Sequence, residues 1–382
     1  MTHRLYFDDS FISEFSAVVT SCERAGDGYT VTLDRSAFFP EGGGQKGDTG
    51  FIGAVRVYDT QESGGEVYHY TREPAAVGET VKCAIDWETR FRRMQNHSGE
   101  HIVSGIAHSR FGCENVGFHM GADGIIIDFS VYLDRDEVSE LELAANRAIY
   151  ENAAITARFP SDDELKTLEY RSKLELTGNV RIVTVEGYDV CACCAPHLRT
   201  TGQVGLIRIY ESARHKNGVR IRMLAGLDAL EDTLVKSRNI ETISNLLSAR
   251  QNETAAAVER LKGENESYKY EIYGLKRALE AAEIRNLRPT EGNICVFTES
   301  FETDQLRNVC NAGMELCGGI CAVFAGSDTG GRRYIMGSKT VDMGADARRI
   351  NSALGGRGGG RGSMIQGSLT ATEAEIRAFF GV

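Results

Sequence analysis

Apolar and polar residues alternate along the first part of the chain. The alternation is clear in Tyr29-Thr-Val-Thr-Leu33 and in Ala54-Val-Arg-Val-Tyr58, and glycine-rich stretches separate such runs. A period of two is typical of strands that bury one face, and glycine-rich breaks are typical of turns. We therefore predict that residues 1–85 form a small N-terminal β-barrel of short antiparallel strands that carries a glycine-rich motif.

The pattern becomes helical between Asp86 and Arg110. Downstream, the strand-like run Gly124-Ile-Ile-Ile-Asp-Phe129 precedes a helix-like segment from Asp134 to Asn152. Strands and helices mixed in this order indicate a second domain of the α+β class. We place this domain at residues 86–225.

A long stretch without proline occupies residues 226–287. Apolar residues in its second half recur at alternating spacings of three and four, which predicts a helical heptad seam with Asn265 as its polar member. Gly263 and Gly274 weaken this helix. A helical hairpin within one domain and an intermolecular coiled coil need the same stripe, so both interpretations stay open. The seam comprises Val258, Leu261, Asn265, Tyr268, Ile272, Leu275, Leu279 and Ala282.

Arg288-Pro289 ends the helical region, because proline cannot continue a helix and restricts the residue before it. The strand-like runs Ile294-Cys-Val-Phe297 and Ile320-Cys-Ala-Val-Phe324 flank a helix-like segment from Thr303 to Met314. We therefore predict a small C-terminal α/β domain at residues 288–382, and α+β as the fold class of the whole chain.

Composition narrows the class of protein. The chain has no stretch of about 18 uncharged apolar residues and does not open with a signal-peptide run, so we expect a cytoplasmic protein without membrane contact. Ten cysteines in such a chain are better explained as reduced thiols and metal ligands than as disulfides. The net charge of −11 argues against a general binder of nucleic acids, so any RNA contact requires a local basic patch such as the one between Gly331 and Arg361.

Two pairs of residues have the spacing of metal ligands. His97 and His101 stand four apart in a helical segment, which puts both imidazoles on one face of the helix. Cys193 and His197 repeat this spacing in a turn-like segment further along the chain. Together the pairs supply four ligands of the types that Zn²⁺ prefers, and we predict one zinc ion per chain.

Neighbouring residues leave some choices open. Cys191 and Cys194 are alternative sulfur ligands, because they lie beside Cys193. Glu100 stands directly before the second histidine, whereas the HExxH helix of zinc proteases has glutamate directly after the first, so such a protease is disfavoured. His119, in Val116-Gly-Phe-His119-Met, is a further candidate for the lining of the site.

Taken together, the motifs resemble those of a known family. The segment Pro40-Glu-Gly42-Gly43-Gly44-Gln45, the two ligand pairs and Thr201-Gly202-Gln-Val-Gly205 follow one another as in freestanding alanyl-tRNA editing proteins of the AlaX type. The run Gly355-Gly-Arg357-Gly-Gly-Gly-Arg361 is similar to that of the RNA-associated domain shared by alanyl-tRNA synthetases and DHH phosphoesterases. The resemblance covers nearly the whole chain and is to the long form of the family.

The resemblance implies a trans-editing hydrolase. Its substrate would be tRNA(Ala) mischarged chiefly with serine, or with glycine, and zinc would assist hydrolysis of the ester. The expected partners are this tRNA and a second copy of the chain, in a homodimer through residues 258–282 or the C-terminal domain. The roles it implies are catalysis for Gln45 and Ser36, substrate binding for Gly43, Gly44 and His119, and RNA binding for Arg357 and Arg361.

The chain departs from the family pattern at two places. The usual CGGTH motif is replaced, because Cys194, Ala195 and Pro196 follow Cys193, and Ser36 stands where threonine is common but keeps the hydroxyl. Two other functions stay open. One is a non-catalytic, zinc-stabilised tRNA-binding protein, and the other is editing of the threonyl-tRNA synthetase type, against which the glycine-glycine-glutamine segment speaks.

Overall fold

The structure, a computed structural model, describes residues 1–121, 124–172 and 180–382. The chain divides into two compact units, Met1–Thr242 and Ile243–Val382. Helices and strands are mixed in both units, which confirms the predicted α+β class. The finer division at residues 85, 225 and 287 stays a prediction.

Six strands near the N-terminus pair antiparallel in a closed ring, which we call the N-terminal ring. The predicted short antiparallel strands are thus confirmed. The alternation noted in the sequence explains the interior of the ring, where Val31, Leu33 and Val57 are fully buried. A short strand His3–Arg4 pairs with Arg35–Ser36 and leads into the helix Leu5–Asp8. In order around the ring, the strands are Glu14–Ala25, Gly28–Leu33, Glu66–Thr71, Val55–Ser63, Gly50–Ile52 and Thr80–Ile85.

The helix Trp87–Phe111, which we call the site helix, runs through the interior of the first unit. It ends at Gly112, whose φ of 62° is a left-handed conformation that glycine adopts freely. Its residues from Met94 to Ala107 are all buried. A four-stranded sheet in this unit has the order Ile207–His215, Gly218–Ala225, Gly124–Phe129 and Asn115–Gly121.

A close approach between the site helix and a second sheet depends on Gly105. A Cβ atom at this position would lie 2.3 Å from the carbonyl oxygen of Tyr188, so no larger residue fits. The approach brings the strand that starts at Asp189 against the helix. This sheet consists of Ile155–Arg158, Ile182–Val185 and Asp189–Ala192, and the unit also contains the helices Arg135–Glu151 and Asp162–Leu165 and the 3₁₀ turn Thr201–Val204.

The second unit contains the predicted small α/β domain. The strands Ile294–Thr298 and Cys321–Ser327 and the helix Thr303–Met314 lie where the sequence predicts them. The glycine-arginine run forms an edge strand, Arg357–Arg361, paired with Met364–Leu369. The sheet is completed by Gly331–Gly337, and the other helices of this domain are Met343–Ala353 and Glu373–Phe380.

The predicted seam lies on the helix Thr254–Asn286, which we call the seam helix. It follows the helix Leu227–Leu247 and the 3₁₀ turn Gln251–Glu253. Six apolar side chains of the seam are between 44% and 63% exposed. The seam is therefore a surface stripe rather than part of the core. None of the helices in the described part of the chain has the length and apolarity needed to cross a lipid bilayer.

Candidate metal centre

The four predicted metal ligands lie together. His97 and His101 occupy successive turns of the site helix, while Cys193 and His197 follow the strand Asp189–Ala192. One ligand atom from each of the four residues lies within 4.8 Å of the other three. The Sγ atom of Cys193 is 3.5 Å from Nε2 of His97 and 3.4 Å from Nε2 of His197. The structure thus forms a compact cluster from two segments that are far apart in the sequence.

Each imidazole is oriented by a different partner at Nδ1. Nδ1 of His97 donates to Oε1 of Gln45 at 3.2 Å, and Nδ1 of His101 donates to Oδ2 of Asp189 at 2.8 Å. Nδ1 of His197 is 3.1 Å from the hydroxyl of Ser98. With the Nδ1 atoms engaged, Nε2 of each ring is the atom left for a metal, which is the usual arrangement in metal sites.

The electrostatics of the cluster distinguish among the three cysteines. Burial alone would raise the pKa of the Cys193 thiol, but the adjacent His97 and His197 and hydrogen bonds from the histidines hold it well below its usual range. Burial raises the pKa of Cys191 and of Cys194 to about 11. The thiolate is the form that binds metals, so Cys193 is the sulfur ligand that the surroundings favour.

Burial and hydrogen bonds also shift the pKa values of two of the buried histidines. Burial lowers the pKa of His197 to about 3, so this ring is neutral and can act as a metal ligand. Burial would also lower the pKa of His101, but the hydrogen bond to Asp189 raises it well above its usual value, so a metal that binds Nε2 of His101 would displace a proton. Three imidazole nitrogens and one thiolate are a donor set that suits Zn²⁺, so the residues present fit the predicted metal.

The cluster borders a cavity of about 830 Å³. Its lining contains three of the ligands, His97, His101 and Cys193, so a molecule in the cavity can approach the centre. Gly43 and Gly44 line it as well, as the sequence predicts for the substrate site. The rest of the lining includes Arg4, Phe7, Glu100, Phe118, Phe159, Arg171, Arg181 and Cys194.

Gly44 has a steric reason to be glycine. Its φ is +81°, and a Cβ atom would lie 2.6 Å from the ring of Phe118. That ring in turn lies 5.3 Å from the ring of His97, measured between centroids. Phe118 therefore lies between the glycine turn and the metal ligand His97 and contacts both.

Ser36 and Gln45 are fully buried, and neither is among the described residues that line the cavity. The hydroxyl of Ser36 donates to Nε2 of His69 at 2.8 Å inside the N-terminal ring, because Nδ1 of His69 already donates to the carbonyl of Val31. Gln45 contacts the metal ligand His97 rather than the cavity. Its Nε2 has no hydrogen-bond partner in the described part of the chain.

His119 is exposed and is not placed in the cavity lining of the described residues. It lies on the strand Asn115–Gly121, where successive side chains point to opposite faces, and its neighbour Phe118 takes the side of the cavity. Phe118, Asp189 and Glu100 are the residues of the centre that sequence reasoning missed as functional. Only Glu100 had a recognisable sequence context, since it stands beside a metal ligand.

Arg357 and Arg361 belong to the second unit. Both side chains are exposed on the edge strand of the five-stranded sheet. Arg357 lines a surface pocket of this unit together with Arg332 and Arg333. Arg332 is buried and paired with Asp328, and Arg333 is paired with Glu302, so RNA binding by the basic patch stays a prediction from the sequence.

Two segments of the chain match models of known families. Residues 180–222, which include Cys193 and His197, match the model of the threonyl and alanyl tRNA synthetase second additional domain. Residues 10–89, which include the glycine turn, match the model of class II (A) tRNA synthetases. The second ligand pair and the glycine turn thus lie in segments that match two different family models, and His97 and His101 lie between these segments.

Several relatives match nearly the whole chain. The alanyl-tRNA editing protein AlaX-L of Pyrococcus horikoshii is 27% identical over 98% of this chain and 96% of its own length. The alanyl-tRNA editing protein Aarsd1 of Rattus norvegicus is 25% identical over 97% of this chain and 95% of its own. The alanine–tRNA ligase of Ignicoccus hospitalis is 29% identical, but the chain spans only 40% of its length. The resemblance noted in the sequence is therefore confirmed, and the chain is related along nearly its whole length to the long AlaX-type alanyl-tRNA editing proteins.

Proposed function

We propose that this protein is a trans-editing hydrolase that removes serine, and secondarily glycine, from mischarged tRNA(Ala). The observation that carries the proposal is the cluster of His97, His101, Cys193 and His197 at the edge of a cavity large enough for an aminoacylated nucleoside. Relatives of similar length that match nearly the whole chain are named alanyl-tRNA editing proteins. The bond broken is the ester between the amino acid and the terminal ribose.

Zinc is the metal that we propose for the centre. A zinc ion held by these ligands can polarise the ester carbonyl or lower the pKa of a bound water. The protein's own groups fix the ligands: Gln45, Asp189 and Ser98 each hold one imidazole ring by its Nδ1 atom. Such partners orient metal-binding histidines and raise their basicity.

The substrate would be positioned by the glycine turn and by the lining of the cavity. Gly43 and Gly44 line the cavity and have no side chains, so their backbone can approach the aminoacyl end closely. Gln45 and Ser36 act in this proposal through His97 and His69, the residues that they contact. Direct contact of Gln45, Ser36 or His119 with substrate stays a prediction from the sequence.

Selectivity for serine over alanine follows from a general limit of binding. A pocket built for alanine cannot strongly reject an analogue that adds a hydroxyl, whereas a second site can require that hydroxyl through hydrogen bonds. Editing in a separate site therefore suits seryl-tRNA(Ala) best.

The second unit is the proposed contact for RNA. Arg357 and Arg361 are exposed on the edge strand, where they can meet phosphates despite the net charge of −11. We expect the protein to act in the cytoplasm, where its cysteines, all free in the structure, stay reduced.

A homodimer through the seam helix is the second proposed partnership. The charges that flank the seam favour two parallel helices. Glu264 and Glu271 stand at the g positions of the heptads, and Lys269 and Lys276 stand five residues later at e positions, which face each other between parallel helices. In an antiparallel pair the like charges would face each other instead. Asn265 at an a position is a further feature that fixes register in parallel dimers.

The test of editing uses zinc-loaded protein and tRNA(Ala) charged in turn with serine, glycine and alanine, with release of each amino acid followed over time. We expect serine to be released well above alanine, and release to be lost in His97→Ala and Cys193→Ala. His108→Ala, which removes an exposed histidine from the same helix, is the matched control. Equal release of alanine and serine would contradict the proofreading role.

A non-catalytic, zinc-stabilised tRNA-binding protein is the second candidate, because four protein ligands are typical of structural zinc sites. Removal of the metal with a chelator distinguishes the two candidate functions. Removal of a structural ion should unfold the first unit, whereas removal of a functional ion should abolish hydrolysis and leave the fold. Retained tRNA binding without release of any amino acid would favour this second candidate.

A further inference from the structure

Glu100 is a buried carboxylate next to the metal centre that is not one of the four ligands. It precedes the metal ligand His101 on the site helix, is 4% exposed and lines the cavity. Its Oε1 atom accepts hydrogen bonds from the hydroxyl of Ser104 and from the side-chain amide of Asn115, each at 2.6 Å. These two bonds hold the carboxylate in one orientation.

The second oxygen of Glu100 is available to a ligand. Among the described residues, the ionisable nitrogen within 4.0 Å of the carboxylate is Nε2 of His101, which lies 4.0 Å from Oε2. Ser104 and Asn115 are neutral donors, so they do not compensate the charge. Glu100 is also not part of the cluster of four ligand atoms, so its oxygen lies beside the metal position rather than at it.

The other charges around the centre explain why this carboxylate matters. Both oxygens of Asp189 are already bonded to Arg171, at 2.7 and 2.8 Å, and one also accepts from His101. Arg181 donates to the carbonyl oxygens of Cys193 and Ala195. A positively charged group that enters the cavity therefore meets the metal position and the arginines Arg4, Arg171 and Arg181. Of the carboxylates in the described lining, Asp8 is exposed and paired with His3, whereas Glu100 is buried and keeps an oxygen for such a group.

The aminoacyl end of the substrate carries such a positive group. An α-amino group with a pKa near 8 is mostly an ammonium ion at neutral pH. Its nitrogen is only about 2.5 Å from the carbonyl carbon of the same amino acid. A substrate that presents its ester to the metal centre must therefore also place its ammonium group near the centre.

We propose that Glu100 binds the α-ammonium group of the aminoacyl substrate. This inference rests on the proposed function and adds a determinant of specificity, because it requires a free amino group next to the ester. Oε2 accepts from the ammonium, while Ser104 and Asn115 keep the carboxylate in place. Substrates with a blocked amino group are then rejected for lack of the positive charge.

The experiment compares seryl-tRNA(Ala) with N-acetylseryl-tRNA(Ala), which lacks the positive charge, on wild type, Glu100→Gln and Glu100→Asp. Wild type should prefer the free amine. Glu100→Gln should lose roughly tenfold to hundredfold in kcat/KM on the free amine and little on the acetylated substrate, so that the preference collapses. Glu100→Asp keeps the charge and should keep the preference at a lower rate. Glu114→Gln, a surface carboxylate beside His108, is the matched control.

Two further readouts separate binding from structure and from metal loss. Zinc content should be the same in all variants. A non-hydrolysable amide analogue, 3′-deoxy-3′-(L-serylamino)adenosine, should bind Glu100→Gln more weakly than wild type, whereas its N-acetyl derivative should bind both equally.

Other outcomes would overturn the inference. An equal fractional loss on both substrates in Glu100→Gln would assign Glu100 to proton transfer or to structure instead. Equal hydrolysis of both substrates by wild type would remove ammonium recognition and leave editing intact. Failure of wild type to hydrolyse either substrate would contradict the proposed function itself, and this inference with it.

Discussion

Nδ1 of His101 donates a hydrogen bond of 2.8 Å to Oδ2 of Asp189, and Arg171 contacts both oxygens of the same carboxylate. Such a carboxylate behind a metal-binding histidine fixes the ring and raises its basicity. We expect Asp189→Asn to weaken zinc binding about tenfold to hundredfold, measured by competition with a chromophoric chelator. Asp128→Asn removes a carboxylate from the surface pair with Arg220 and should leave zinc affinity unchanged. An unaltered affinity in Asp189→Asn would make the contact unimportant for the metal.

Gln45 should act mainly on the metal ligand that it contacts. Gln45→Ala removes the acceptor of Nδ1 of His97, so we expect weaker zinc binding and loss of hydrolysis at limiting zinc that excess zinc restores. Gln61→Ala, on the strand Val55–Ser63 of the N-terminal ring, is the control. Loss of hydrolysis with full zinc occupancy would instead support the catalytic role that the sequence suggests for Gln45.

The ligands of the centre could be predicted from the sequence because their spacing is local. His97 and His101 are four apart on a helix, and Cys193 and His197 are four apart in one segment. The hydrogen-bond partners of the histidines could not be predicted in this way, because Gln45 lies 52 residues from His97 and Asp189 lies 88 residues from His101. They come together only because the N-terminal ring and the sheet that contains the strand Asp189–Ala192 both pack against the site helix.

The sequence also does not predict which face of a strand a side chain occupies or how an edge strand pairs. The run from Val116 to Met120 offers both Phe118 and His119, and nothing local decides which of two neighbouring side chains faces the site. The strand Arg357–Arg361 has three glycines and no apolar alternation, so its pairing is determined by the partner strand and not by its own pattern. The apolar runs Ile294–Phe297 and Ile320–Phe324 do predict strands, and the structure has strands at Ile294–Thr298 and Cys321–Ser327.

The glycine turn should tolerate no side chain at Gly44. Alanine there combines an unfavourable φ of +81° with a Cβ atom 2.6 Å from the ring of Phe118. Gly78 has a φ of +84° and nothing within 4 Å, so Gly78→Ala measures the backbone penalty alone, about 1–2 kcal/mol. We expect Gly44→Ala to lower the free energy of unfolding by more than this, and to slow deacylation because Phe118 packs against His97. Equal losses in urea unfolding of the two variants would show that the collision is relieved without cost.

His69 should make the stability of the first unit sensitive to acid. Burial lowers its folded-state pKa to about 4, below the value of 6.5 expected in the unfolded chain. The unfolded state therefore binds the proton more readily between these values. The neutral, buried His69 therefore contributes up to about 3 kcal/mol to the free energy of unfolding. This contribution is complete above pH 6.5 and is lost as the pH falls towards 4.

Urea unfolding between pH 7 and pH 4 tests this contribution. The free energy of unfolding of wild type should fall more steeply with decreasing pH than that of His69→Gln, although the variant is less stable throughout because its contacts with Ser36 and Val31 are altered. His119→Gln removes an exposed histidine and should leave the slope unchanged. Parallel curves for wild type and His69→Gln would refute the assignment.

The exposed seam should hold two copies of the chain together in a defined orientation. Wild type should sediment with twice the chain mass of 41.8 kDa. Glu264→Lys with Glu271→Lys places lysine opposite Lys269 and Lys276 of the second copy and should dissociate the dimer. Mixing this double variant with Lys269→Glu and Lys276→Glu should restore a mixed dimer, measured by native mass spectrometry.

Two controls make the orientation testable. Glu259→Lys with Glu266→Lys changes the same charge at b positions, which face away from the seam, and should leave the dimer intact. Asn265→Val removes the polar residue that fixes the parallel register, so we expect a dimer of higher stability but relaxed orientation, seen by disulfide trapping of cysteines placed at one end of the seam helix. A monomeric wild type would contradict the dimer. Dissociation by the b-position variant would point to net charge rather than to paired g and e positions as the cause.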